Sequence, residues 1–251
     1  MKRHRPFLLA ILTVFACAPL RAQTPAPQAS DQPLPRVIPY RWMSLETWRD
    51  FHAGDLARAG AGPVDVLFIG DSITEAWDKS GLRVWEDVFE PMRAANFGIG
   101  GDTTQNVLWR ITEGRALEKV RPKVVVLMIG TNNIGLHNDT PAAVARGVAA
   151  VVKTLRRQLP DSRILLLDIF PRGAQPGDKL RHAVSETNRL LKDIGTGDGH
   201  VRHLRIWDEY LEKDGTLAPA IMPDALHLSE AGYRIWAETM QPVLGAMMRD
   251  G

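Results

Sequence analysis

Ser72 stands at the end of the run Val64-Asp65-Val66-Leu67-Phe68-Ile69-Gly70-Asp71, where an apolar stretch too short for a helix stops at glycine and delivers a hydroxyl. Serine is a weak nucleophile unless a base lies in hydrogen-bond contact, and that base needs a third group to fix its tautomer. Asp224 and His227 have the spacing for both roles. Three positions apart in a turn, a carboxylate can reach the nearer imidazole nitrogen and leave the other to take the serine proton. Attack on a carbonyl then requires donors already aimed at the oxyanion. The N–H of Ser72, the N–H of Gly101 in the glycine-rich loop Gly98-Ile99-Gly100-Gly101 and the side-chain amide of Asn132 are the candidates. The competing reading of Ser72 is a plain helix cap, a role serine often has.

These residues meet only if the elements between them stack in a particular way. Short apolar runs at 64–69, 94–97, 123–129, 163–170 and 201–207 read as strands. Between them lie helical patterns. One runs through Val107, Leu108 and Ile111, one starts at Asp139-Thr140-Pro141 and buries Val144, Val148, Val151 and Leu155, and another spans 179–194. A last helix over 229–248 turns Tyr233, Trp236, Met240 and Leu244 inward. The pattern over 41–58 predicts an N-terminal amphipathic helix with Trp42, Leu45, Trp48, Phe51 and Leu56 against the core. Alternation of this kind calls for a parallel sheet with right-handed crossovers. The predicted fold is α/β, a three-layer α/β/α sandwich of flavodoxin-like type on a five-stranded parallel sheet. Each strand of such a sheet brings its C-terminal loop to one edge, so Ser72, Gly101, Asn132 and the Asp224/His227 pair converge there.

Other residues compete for these roles. His4, His52, His200 and His203 have no placement at that edge; His137 follows the Asn132 loop; Asp178 and His182 read as a surface pair at i,i+4 spacing. Asp71, Asn133, Thr103 and Thr104 read as turn and capping residues. Trp77, Trp109, Ile134, Leu136, Phe170 and Ile221 are candidates for an acyl or leaving-group pocket, with ordinary core as their default. The loop at 98–104 completes neither a P-loop nor a dinucleotide fingerprint. No His/Cys/Glu cluster has metal-ligand spacing, and the chemistry calls for no metal or cofactor.

Gly70-Asp71-Ser72, the glycine of Asn96-Phe97-Gly98-Ile99-Gly100-Gly101-Asp102-Thr103-Thr104, the block Gly130-Thr131-Asn132-Asn133, and Asp224-Ala225-Leu226-His227-Leu228 resemble, in order, the four blocks of the SGNH (GDSL-type) hydrolases. Within that family the likeness is greatest to the catalytic subunits of the intracellular platelet-activating-factor acetylhydrolase, whose motifs resemble Asn96–Arg110, Arg121–Asn133 and Pro171-Arg172-Gly173. It covers 64–248. The resemblance implies Ser72 as nucleophile, Asp224 and His227 as the other triad members, and Gly101 and Asn132 as oxyanion-hole partners beside the Ser72 N–H. Ile73 stands where the family usually has leucine. The absence of a second glycine after Ser72 argues against an α/β-hydrolase elbow.

The chain has 251 residues, a formal net charge of +2 and scattered basic residues, giving no reason to propose nucleic acid as a partner. Residues 1–22 read as an export signal, with a basic start and the apolar run Phe7–Phe15, too short to span a membrane. The expected destination is the periplasm or the medium. The alternative is lipidation at Cys17, the only cysteine, in Val14-Phe15-Ala16-Cys17. Residues 23–39, rich in Pro, Gln and Ala, read as a tether outside the core, and 40–251 as one hydrolase domain, monomeric or homodimeric. The expected activity is hydrolysis of short-chain, above all acetyl, esters through an acyl-enzyme, on a small molecule or an O-acetylated carbohydrate. A lysophospholipase or thioesterase on the same site, or a silent glycan-binding module, are the alternatives.

Overall fold

The computed structural model describes residues 29–249. The proposed leader, Cys17 and the start of the tether lie outside the described residues. Five strands, β1 (Val66–Gly70), β2 (Ala94–Gly98), β3 (Val124–Met128), β4 (Arg163–Leu167) and β5 (Val201–Leu204), pair in parallel in the order β2-β1-β3-β4-β5. This is the flavodoxin-like order, and its reversal lies between β1 and β3, so the ligand crevice sits beyond the carboxyl ends of those two strands.

Alternation along β1 divides the core in two. Val66 and Phe68 join a layer with Trp77, Trp85 and Trp236, whereas Leu67 and Ile69 join one with Val107, Val144 and Val148. The first face is covered by α2 (Ser72–Glu75), α3 (Leu82–Val88) and α8 (Glu230–Arg249). The second is covered by α4 (Thr104–Ile111), α6 (Pro141–Gln158) and α7 (Lys179–Leu191). The helix α6 starts where expected, with Pro141 in its first turn and Thr140 as its cap. Gly70 ends β1 because a Cβ there would lie 2.6 Å from the Met128 carbonyl oxygen of the neighbouring strand. Close approach, rather than an unusual backbone angle, is what demands glycine at this position.

Three expectations change. The helix α1 spans Leu45–Gly60 and buries Trp48, His52, Asp55 and Ala59, leaving Trp42 61% exposed and Phe51 and Leu56 at the surface. Its inner face is polar because it completes a buried charge network: Asp55 pairs with Arg110, and Trp48 donates to Asp102. Second, Asn132 and Asn133 do not lie in a loop but in the first turn of a seven-residue helix, α5 (Thr131–His137). Third, residues 30–36 are no free tether. The Thr104 hydroxyl donates to the Ser30 carbonyl (2.7 Å), Leu34 exchanges bonds with Gln105 and Asn106 of α4, and Arg36 is buried. Composition counts apolar burial and misses a segment held by polar partners.

Candidate active site

The site is built on the turn after β1. Asp71 caps α2, its Oδ1 accepting from the N–H of Ile73 at 3.0 Å, and Tyr233 of α8 donates to the Ile73 carbonyl at 2.5 Å. Ser72 is therefore both a helix-start residue and a presented hydroxyl. Its Oγ lies 3.0 Å from His227 Nε2, across 155 positions of sequence. His227 Nδ1 lies 2.7 Å from Asp224 Oδ2, while Asp224 Oδ1 accepts from the N–H groups of Leu226 (3.0 Å) and His227 (2.7 Å). With Nδ1 donating to the carboxylate, Nε2 is left to accept the serine proton. Partial burial pushes the Asp224 carboxyl up, but the bonds from the His227 side chain and from the backbone outweigh it and hold the group below its usual range. The Asp224 and His227 side chains remain 57% and 41% exposed, so the pair opens directly to solvent. Ala225 adopts a left-handed φ of 56° between them, and its carbonyl accepts from the Gly173 N–H.

Facing them is the buried loop after β2. Gly101, at φ 76°, has the left-handed conformation that favours glycine. Among the described residues neither the Gly101 N–H nor the Ser72 N–H donates to another group. Asn132 Nδ2 donates to the Asp102 carbonyl at 3.0 Å, which places its amide against the same loop. A Cβ on Gly100 would lie 3.7 Å from the Ser72 Cβ, so the loop adjoins the serine. Backbone N–H groups without a partner, next to a hydroxyl, are the kind of donors that an oxyanion needs.

Burial dominates the electrostatics beneath this surface. It raises Asp71 to about 7, against the bond from Ile73, and raises Asp55 to about 7, against Arg110. It also raises Asp102, which Arg110 and Arg36 pull back down.

Ser72, His227 and Asp224 are thus joined by hydrogen bonds, and Gly101 and Asn132 meet around Asp102. The other histidines among the described residues lie elsewhere: His52 contacts the Gly114 carbonyl, His203 pairs with Asp168, and His137 lies 3.3 Å from the Tyr40 hydroxyl. His182 faces Glu186, not Asp178, because Asp178 turns back to accept from Gln175. Trp77, Ile134 and Phe170 are core, and Trp109 packs on Trp48. Leu136 is different; with Val37, Ile38 and Tyr40 it lines a cleft of about 420 Å³ between residues 34–40 and the end of α5. Arg172, noted in sequence only as part of a resembling motif, ties the loop after β4 to α5 through the carbonyl and hydroxyl of Thr131. Arg36 carried no signal at all. Among the described residues no group of three His, Cys, Asp or Glu side chains is arranged to hold a metal, and no helix is long and apolar enough to cross a membrane.

Comparison with known proteins identifies the family. Residues 68–235 match the profile of the GDSL-like Lipase/Acylhydrolase family. The chain is 38% identical over 193 residues to the platelet-activating factor acetylhydrolase IB subunit alpha1 of Pongo abelii, covering 77% of this chain and 78% of that one. In fold it is similar to a GDSL-like lipase from Bacteroides thetaiotaomicron (TM-score 0.64, 19% identity, covering 79% of this chain and 98% of that one). It is also similar to an acetylxylan esterase from Geobacillus stearothermophilus (TM-score 0.58, 22% identity, covering 70% and 92%). The chain therefore belongs to the GDSL-like lipase/acylhydrolase family, and it is an ester hydrolase of the SGNH type.

Proposed function

We propose that the protein is a serine esterase that removes short acyl groups, acetyl above all, through a Ser72–His227–Asp224 triad. The observation that carries this reading is the continuous chain from Ser72 Oγ through His227 to Asp224, at 3.0 and 2.7 Å, beside two undonated N–H groups. Ser72 Oγ attacks the ester carbonyl carbon as His227 Nε2 takes its proton, and the carbonyl π electrons move onto oxygen. That oxyanion accepts from the N–H groups of Ser72 and Gly101 and from Asn132 Nδ2. Collapse breaks the bond to the alcohol, which leaves with the proton from His227. Water then attacks the acyl-serine, giving its proton to His227, and a second collapse releases the acid and restores the Ser72 hydroxyl.

The preference for acetyl is supported by the activity named for the similar acetylhydrolase subunit and by the exposure of the His227 and Asp224 side chains. An O-acetylated carbohydrate suits an exported enzyme, export being our reading of residues 1–22. A lysophospholipase or thioesterase is the second reading, favoured by Val37, Ile38 and Leu136 in the cleft beside Tyr40. Ser72→Ala should abolish hydrolysis of p-nitrophenyl acetate without changing the circular dichroism spectrum, and retained turnover would sink the nucleophile assignment. A panel of esters from acetyl to palmitoyl, with acetylated sugars beside them, decides between the two substrate classes. Mass spectrometry of the exported protein's N-terminus separates cleavage near Ala22 from lipidation at Cys17.

A further inference from the structure

Arg36 precedes the residues matched by the family profile and lies in a segment whose composition reads as a tether, yet it is only 5% exposed. Its Nη2 donates to the Gly100 carbonyl at 2.7 Å and to Asp102 Oδ1 at 2.9 Å. Nη1 meets Met43 Sδ at 3.0 Å, and the guanidinium lies 4.8 Å from the centre of the Tyr40 ring, which itself covers Gly101. Asp102 accepts another bond from Trp48 Nε1 and lies 2.8 Å from Arg110 Nε. Glu75 accepts the Gly100 N–H at 2.6 Å.

The Gly100 carbonyl and the Gly101 N–H are the two ends of one planar peptide unit, so whatever grips the first aims the second. Glycine on both sides of that unit leaves the plane free to rotate unless it is held. We propose that Arg36 is a positioning residue for the reaction: it holds the Gly100 carbonyl so that the Gly101 N–H points at the developing oxyanion. A cation donating to that carbonyl also polarises the peptide and strengthens its N–H as a donor. The inference rests on the reading of Gly101 as an oxyanion donor.

The test compares Arg36→Met, which keeps the apolar stem and removes the bonds to Gly100, Asp102 and Met43, with Arg36→Lys, which restores one cationic donor. On p-nitrophenyl acetate, Arg36→Met should lower kcat about tenfold to a hundredfold and change KM by less than about threefold. Arg36→Lys should recover a measurable part of the loss. The Ki of phenylboronic acid, whose adduct with Ser72 puts an oxygen where the oxyanion forms, should rise in the same proportion as kcat/KM falls. In the double variant with Asn132→Ala the combined loss should be smaller than the product of the two single losses, because both act on one oxygen.

An unchanged kcat in folded Arg36→Met overturns the proposal, and so does a loss that leaves the boronate Ki where it was or that lysine does not relieve. If Arg36→Met fails to fold, Arg36→Lys carries the same test: its kcat/KM and boronate Ki must move together. Asn132→Ala separates the two levels of argument. Full turnover there removes Asn132 from the oxyanion hole, whereas loss there with none in Arg36→Met defeats only the role of Arg36.

Discussion

The turn that carries Asp224 and His227 and the loop that carries Gly101 face the same hydroxyl and are held in different ways. In the turn, every bond to Asp224 comes from within three residues, and the two side chains are largely open to water. In the loop, Asp102 is fully buried and is held by Trp48 and Arg36, 54 and 66 positions away, and by Arg110. One half of the site is a local structure laid on the surface; the other is tied into the domain. The acid–base half should therefore be separable from stability, and the oxyanion half should not.

The sharpest way to break that contrast is to cut one bond in each half. Asp224→Ala removes the group that orients His227, and kcat should fall by roughly ten-thousandfold. Because the residue is exposed, the melting temperature should move little; a large drop would show that the turn supports the fold. Asn132→Ala should lower kcat by about a hundredfold to a thousandfold. Here the melting temperature should fall as well, since the Asp102 carbonyl loses its partner in a buried setting. Unchanged stability in Asn132→Ala would contradict the difference between the halves.

The same contrast explains what could be read from the residues in order. Asp224-Ala225-Leu226-His227 is legible because the interaction it makes is local, so spacing alone implies contact. The strands were legible for a related reason: β1 is apolar on both faces, and 64–69 shows it without reference to anything else. Illegible parts depend on partners far along the chain. Arg36 becomes buried only because Asp102 and Gly100 wait for it, and a proline-rich setting gives no sign of either. For α1 the apolar spacing of Trp42, Phe51 and Leu56 pointed to the wrong face, since buried charges at Asp55 and Arg110 fixed the rotation of the helix. Asn132 was found by its motif, but the helix α5 beneath it was not, because Thr131–His137 is too short to show a period.

The pH dependence of the two halves should also differ. A histidine base must be neutral to accept the serine proton, so kcat/KM should fall toward acid pH. Asp224, held below the usual carboxylate range, stays ionised while this happens and adds no limb of its own there. A rate that is flat down to about pH 4 would rule out an imidazole base. The buried side behaves oppositely and shows in stability. Asp71 goes from 3.8 to about 7 in the folded chain, so between those values the native state keeps a proton that the unfolded chain has lost. Stability should decline as pH rises through that window. The drop in melting temperature from about pH 5 to about pH 8 should shrink in Asp71→Asn. An undiminished drop would mean that burial does not raise this group.

The smallest effect expected is the most specific to the turn. Ala225 sits at φ 56°, where a Cβ costs about 1–2 kcal/mol, and glycine would remove that cost. Glycine also gains freedom in the unfolded chain, which takes back roughly 0.5–1 kcal/mol. Ala225→Gly should therefore leave stability unchanged or raise it by about 1.5 kcal/mol at most. If the strained residue serves to hold His227 against Ser72, kcat should fall severalfold even so, because the freed backbone lets the imidazole wander from its 3.0 Å contact. Equal kcat in Ala225→Gly would mean that the Asp224 bonds alone hold the turn. A loss of stability together with kcat would mean that the turn, like the loop opposite, is tied to the fold through the bond between Gly173 and the Ala225 carbonyl.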